Sequence, residues 1–259
     1  MFKTGFKKSL QIFTSLGYLL LPGTCILCQA PSKRSLDLCL ACEHELPTLG
    51  NNCPQCALPL ETHSIQLTCG QCLQHPPEFD RLQALYPYQM PIARLINDLK
   101  FHERLANAQI LGMLFAQKME SVYSISPSPC PLPQVVEGKL EDKPDVIIPV
   151  PLHKKRLQER GYNQALELAR PISKILNIPI NYQLCQRIRN TQHQMGSSAD
   201  ERRKNLRGAF CVLGTAPTHV AIIDDVFTTG STVNELARCL RTAGAQKIDV
   251  WTVARTILK

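Results

Sequence analysis

A thirteen-residue run near the C-terminus, Val220 to Thr232 (VAIIDDVFTTGST), narrows the possible folds of this chain more than any other stretch. Val220 to Ile223 are apolar without alternation, the pattern of a strand buried on both faces of a parallel sheet. Two adjacent acids, Asp224 and Asp225, end the run. A turn containing Thr228, Thr229, Gly230, Ser231 and Thr232 follows, and a helix is predicted over Val233 to Thr242. Paired carboxylates at the carboxyl end of a strand accept hydrogen bonds from the vicinal hydroxyls of a ribose. Hydroxyls and backbone N–H groups at a helix start, with a glycine that lets the chain close in, favour a phosphate. These residues make a cradle for a ribose 5-phosphate. The plain alternative is a strand-turn-helix with a capping Thr and two solvated acids. No GxxxxGK[ST] occurs, which excludes a Walker-type phosphate loop.

The 12 cysteines argue for a small second domain. Eight fall in the first third as four CxxC pairs: Cys25/Cys28, Cys39/Cys42, Cys53/Cys56 and Cys69/Cys72. Each pair sets two thiolates on one tight turn, and two such turns close a tetrahedral cage for Zn2+. We read two structural zinc ions here, because a segment of about fifty residues has too little core to fold without a staple. Disulfides would need an oxidising compartment. Sequential and interleaved pairings of the quartets both fit the spacing. His44, His63 and His75 lie among the knuckles as bystanders to two complete all-cysteine sets, and Cys130, Cys185, Cys211 and Cys239 read as inert small residues.

Lys3, Lys7 and Lys8 ahead of an apolar stretch, Leu10 to Leu21, imitate a secretory signal. No small-x-small cleavage site follows, and Gln11, Thr14 and Ser15 break a run already too short to cross a bilayer. The spacing of Phe2, Phe6, Leu10, Phe13 and Leu20 predicts an amphipathic helix over 1–21 packed on the protein, with membrane-surface contact as the alternative. A cytoplasmic protein without a transmembrane segment is expected. The domains predicted are this helix, a double zinc ribbon over 22–78, and an α/β domain over 79–259 with a Pro-rich surface loop at 121–144.

Within that third region, strands are expected at Leu82–Tyr88, Asp145–Val150, Gly208–Leu213, Val220–Ile223 and Lys247–Thr252. Helices are expected at Ile92–Leu99, Leu105–Met119 and Asn163–Leu176, with Pro171 kinking or splitting the last. Alternating elements of this kind predict a parallel or mixed sheet flanked by helices, with ligands at the carboxyl ends of the strands. Charge concentrates between His153 and Arg207, where twelve Lys and Arg face four acids; this equals the +8 of the whole chain. Such a segment holds either a pyrophosphate or a nucleic-acid backbone. A solvated helix face would explain Arg170 and Lys174 but strains at Lys154-Lys155-Arg156 and Arg202-Arg203-Lys204.

The run VAIIDDVFTTGST resembles the 5-phosphoribosyl-1-pyrophosphate (PRPP) signature of type I phosphoribosyltransferases. Over nearly the full chain the order of features is similar to the ComF family (ComFC or GntX-like proteins). LPGTCILC opens a double zinc ribbon. ALYPYQMPIARLINDLKFHER follows with Lys100 and Arg104 at matching positions, then IIPVPLHKKRLQERGYNQA, RNTQHQMGSSADERRKNLRGAF and IDDVFTTGST. The resemblance implies a type I phosphoribosyltransferase-like, mostly parallel sheet flanked by helices. Asp224 and Asp225 would bind ribose hydroxyls, and Thr228 to Thr232 the 5-phosphate. Pro149 to His153, including Pro151, would form the pyrophosphate loop, with Arg156, Arg160, Gly161, Asn163 and Gln164 adjoining it. Thr191 to Phe210, including Gln192, would form a mobile loop. Plainer roles stay open: Arg160 as a helix-end partner, Asn163 as an N-cap, Gln192 as a solvated residue.

Purine-salvage relatives carry an acid where this chain has Thr228, so the sugar-phosphate half of an active site is present without a visible general base. The family implies an accessory protein of natural transformation that binds PRPP with Mg2+. Single-stranded DNA would lie on Lys154, Lys155, Arg202, Arg203 and Lys204, with DNA-uptake or recombination proteins as further partners. The alternative is an active phosphoribosyltransferase of nucleotide or related metabolism with an unknown acceptor. The residues leave turnover open.

Overall fold

The computed structural model describes residues 23–60, 68–124, 142–191 and 205–257. The expected N-terminal helix, most of the Pro-rich loop, most of the expected mobile loop, His63, Cys130, Gln192, Arg202, Arg203 and Lys204 lie outside these residues. The chain divides into two compact units between Pro47 and Thr48, so one cysteine quartet falls in each.

The two quartets are built alike. After Cys25 the chain turns so that Gln29 N–H donates to the Cys25 carbonyl at 2.9 Å and Cys25 N–H to that of Ala30 at 2.8 Å; Gln29 sits at φ 65°. After Cys53, Ala57 N–H donates to the Cys53 carbonyl and Cys53 N–H to that of Leu58, both at 2.8 Å, and Ala57 sits at φ 52°. The second pair of each quartet opens a short helix: α1 (Leu40–His44) begins at Cys39, and α2 (Gly70–Gln74) at Cys69.

In the larger unit four strands form one all-parallel sheet in the order β1-β6-β5-β2: β1 (Arg81–Pro87), β2 (Val146–Pro149), β5 (His219–Phe227) and β6 (Lys247–Arg255). β6 buries every residue after Lys247, as a strand covered on both faces must. Trp251 is fully buried against the Phe115 ring at 5.7 Å. Helices α3 (Ile92–Phe101), α4 (Leu105–Ser124), α5 (Lys154–Arg160), α6 (Gln164–Leu176) and α7 (Ser231–Thr242) flank the sheet. At the end remote from the cleft, Asp249 accepts from Arg81 Nε at 3.0 Å and lies 2.9 Å from His219 Nε2, which satisfies a carboxylate with no exposure.

Four expectations are corrected. The expected strand at Gly208–Leu213 is β4 (Phe210–Val212), which does not join the main sheet. It pairs antiparallel with β3 (Cys185–Arg187), a strand too short to show a pattern in sequence. Helix α6 runs unbroken through Pro171, whose ring abuts Gly112 of α4; a β-carbon on Gly112 would stand 2.4 Å from Pro171 Cγ. The basic stretch at Lys154 is itself helix α5, capped by His153 and stopped by Gly161 at φ 78°. Strand β5 continues through both acids to Phe227, because Asp224, Val226 and Phe227 keep register with Thr252, Ala254 and Arg255 of β6. Among the described residues no helix is long and apolar enough to cross a membrane.

Candidate functional site

Continuing β5 through Asp224 and Asp225 carries both carboxyls to the carboxyl end of the sheet, where they line a cavity of about 480 Å³. The turn after β5 ends at Gly230, whose φ of 74° suits glycine. A second constraint acts there: a β-carbon would stand 2.4 Å from Phe227 Cζ. Helix α7 begins at Ser231, two residues before the expected Val233, so Ser231 and Thr232 lie in its first turn with N–H groups free of intrahelical partners. Thr229 Oγ1 and Ser231 Oγ share a hydrogen bond of 3.0 Å, and all five residues from Thr228 to Thr232 line the cavity.

The two acids have different electrostatics. Asp225 is nearly buried and pairs with Lys100 Nζ at 3.0 Å. Asp224 is partly accessible from the cleft and accepts from Asp225 N–H at 2.9 Å. Burial, and then the charge on Asp225, push its carboxyl up to about 7, against the opposing pull of Lys100 and Arg187. At neutral pH the Asp224 carboxyl is therefore only partly ionised. Three guanidinium groups line the same cavity: Arg156 and Arg160, one turn apart on α5, and Arg187 at the end of β3. Burial, and then mutual repulsion with Arg156, lower the pKa of both Arg160 and Arg187. Such groups gain from a bound anion. Arg160 also packs its guanidinium 5.9 Å from the Phe101 ring centre.

Of the residues expected at the site, Pro151 is buried between Val150 and Leu152, which do line the cavity. Asn163 is an N-cap, donating Nδ2 to the Val150 carbonyl at 3.0 Å and accepting from Ala165 N–H at 3.0 Å. Lys154 and Lys155 project into solvent from the first turn of α5 rather than into the cavity. Arg104 is mostly exposed and lies 3.5 Å from Asp98, whereas Lys100, noted in sequence only as a matching position, enters the site. Arg187 was one member of a basic run with nothing to single it out. Phe227 and Arg255, which support the loop from below, left no signal beyond apolar and basic character.

The quartets resolve as sequential pairings: Cys25, Cys28, Cys39 and Cys42 form one, Cys53, Cys56, Cys69 and Cys72 the other, each with its sulfurs within 4.8 Å of one another. A tetrahedral ion with Zn–S bonds of about 2.3 Å holds its sulfurs about 3.8 Å apart. Cys28 and Cys39 Sγ stand 3.8 Å apart, and Cys56 and Cys69 Sγ 3.6 Å apart, so both sets fit zinc. Cys69 N–H donates to Cys53 Sγ at 3.3 Å, the kind of bond that stabilises a thiolate ligand. Outside the quartets, burial and then the neighbouring Cys239 and Cys211 push the Cys185 thiol up to about 12, which leaves it inert.

Residues 16–73 match the double zinc ribbon domain family. The chain is 38% identical to the DNA utilization protein YhgH of Escherichia coli O157:H7, over 92% of this chain and all of that one. It is 33% identical to Competence protein F of Haemophilus influenzae, over 84% of this chain and 90% of that one. To Competence protein ComFC of Bacillus subtilis it is 23% identical, over 86% of each. A solved purine phosphoribosyltransferase from Pyrococcus horikoshii aligns over 57% of this chain and 82% of its own at 17% identity with a TM-score of 0.30, too distant a superposition to carry an argument.

Proposed function

Because the chain belongs to the ComF family, we propose that it is an accessory protein of DNA uptake that binds PRPP with Mg2+ in the β5–α7 cleft and single-stranded DNA on its basic segment. The names of its relatives, a DNA utilization protein and a competence protein, support the cellular role. It would act in the cytoplasm beside DNA-uptake or recombination proteins.

The observation that carries the ligand reading is the junction of paired acids and helix start across Gly230. Asp224 and Asp225 offer carboxylate oxygens for the 2- and 3-hydroxyls of a ribose, and the Thr228–Thr232 turn offers hydroxyls and free N–H groups to its 5-phosphate. Arg156, Arg160 and Arg187 are the counter-charges for the pyrophosphate. Mg2+ fits this donor set because it is an oxygen-seeking cation that prefers carboxylates and substrate phosphates, and when bound it would screen the pyrophosphate charge. Of the four basic residues of α5, Arg156 and Arg160 line the cavity while Lys154 and Lys155 stay in solvent. That division supports two separate anionic ligands.

One observation favours turnover as a second reading: three guanidinium groups stand where a departing pyrophosphate would need them. Titration with Mg2+-PRPP, with and without a single-stranded oligonucleotide, followed by assay of pyrophosphate release, tests both readings. Saturable binding without release supports an accessory binder. Release that depends on a nucleophile supports the transferase, and no binding removes both.

A further inference from the structure

Arg255 ends β6 with only 3% of its surface exposed, yet among the described residues no carboxylate is paired with it. Its donors reach two separate elements of the larger unit. Nε donates to the Cys56 carbonyl at 3.0 Å, inside the second cysteine quartet. Nη1 donates to the Thr228 carbonyl at 2.9 Å, the first residue of the phosphate turn. The guanidinium lies 4.9 Å from the centre of the Phe227 ring, the ring that a side chain at position 230 would strike. Phe79 meets the same ring edge-on at 5.9 Å.

A buried guanidinium is costly without a counter-charge. Cys56, Cys69 and Cys72 lie close enough to act electrostatically on the guanidinium. Four thiolates around one Zn2+ carry a net charge of about −2 in total, so a loaded quartet remains a counter-charge while holding the Cys56 carbonyl still.

We propose that Arg255 is a positioning residue that makes the second cysteine quartet part of the phosphate site. Zinc on Cys53, Cys56, Cys69 and Cys72 fixes the Cys56 carbonyl. Arg255 transmits that constraint to the Thr228 carbonyl and the Phe227 ring, and so to the Gly230 turn. Losing the metal from this quartet loosens the turn and weakens binding of a phosphate ester. The inference rests on the reading that the Thr228–Thr232 turn holds a phosphate, but its structural half can be measured without ligand.

The test uses the full zinc-loaded chain as parent, Arg255→Lys, Cys72→Ser and, as a control in the other quartet, Cys28→Ser. Arg255→Lys keeps charge but loses the fork that reaches both carbonyls. Hydrogen exchange is followed at the Asn234 amide, which is bonded to the Gly230 carbonyl at 2.8 Å. Zinc content and calorimetry with Mg2+-PRPP accompany it. Arg255→Lys and Cys72→Ser each speed this exchange and weaken PRPP by about tenfold, the cost of one charge-assisted bond, and Arg255→Lys keeps both zinc ions. Cys28→Ser changes neither reading. Parent-like exchange in Arg255→Lys overturns the proposal, as does an equal effect from Cys28→Ser. If Cys72→Ser does not fold, Arg255→Lys decides alone. A parent that binds no PRPP removes the phosphate reading and leaves the exchange result to judge the link.

Discussion

Lys100 Nζ stands 3.0 Å from Asp225 Oδ1, joining the last turn of α3 to the end of β5. Next to it, burial and then the Asp225 carboxylate push the Asp224 carboxyl up to about 7, while Lys100 pulls it down. Lys100 thereby acts on both acids of the cleft.

Replacing Lys100 by Met should make Asp224 harder to ionise, since the cation that lowers its pKa is gone. PRPP affinity at pH 7 should fall, and its pH profile should move to higher pH. Calorimetry from pH 6 to 9 checks this; a profile superimposable on the parent's contradicts it.

Asp224 also makes a stability prediction of unusual sign. Its carboxyl is raised from 3.8 to about 7, so between these values the folded chain holds a proton that the unfolded chain has released. Its contribution is therefore lost as pH rises from about 4 to 7 and stays lost above that. Asp224→Asn should gain melting temperature relative to the parent across that window while losing PRPP affinity, a local exchange of stability for binding. Thermal melts at pH 4.5 and 7.5 give the comparison; a difference independent of pH removes Asp224 as the titrating group.

The purified chain should carry two zinc ions, and Cys53→Ser about one, because the two quartets share no ligand. Chelation should unfold the ribbon segment and leave the four-stranded sheet largely formed. Elemental analysis and circular dichroism report this. Free-thiol counts showing disulfides among the eight cysteines would replace zinc with oxidation as the staple.

If the basic segment contacts DNA phosphates, single-stranded DNA affinity should fall with salt at a log-log slope of about −0.7 per phosphate neutralised. Reversing the charges of Lys154 and Lys155 should flatten that slope, whereas removing Asp224 and Asp225 should leave affinity equal or higher. Fluorescence anisotropy at two salt concentrations reads both. An unchanged slope in the reversed protein removes Lys154 and Lys155 from DNA contact.

Much of this architecture was legible because strong local patterns agreed with the tertiary result. The uniform apolar runs at Val146 and Val220 announced parallel strands, and the four CxxC pairs announced two metal cages. What was not legible depended on distance in the chain. The end of β5 was set by pairing with β6 rather than by its own composition, so the acids read as lying beyond the strand. Pro171 stays within its helix and packs its ring against Gly112, 59 positions earlier, a contact that local sequence leaves open. Lys154 to Arg160 offered no apolar face, so helix α5 was invisible to periodicity. Pairing of the quartets and the bonds of Arg255 to Cys56 and Thr228 are likewise contacts that spacing alone leaves open.

Calorimetry of Mg2+-PRPP with the parent chain and with the Asp224→Ala, Asp225→Ala double variant probes the ribose-phosphate cradle on β5 and α7 without intermediaries. Two charge-assisted acceptors are lost, each worth roughly 1.5 to 3 kcal/mol, so affinity should fall by at least about tenfold. One saturable site per parent chain is expected, with that loss in the variant. Equal affinity in the two proteins, or no saturable binding by the parent, would contradict the cradle.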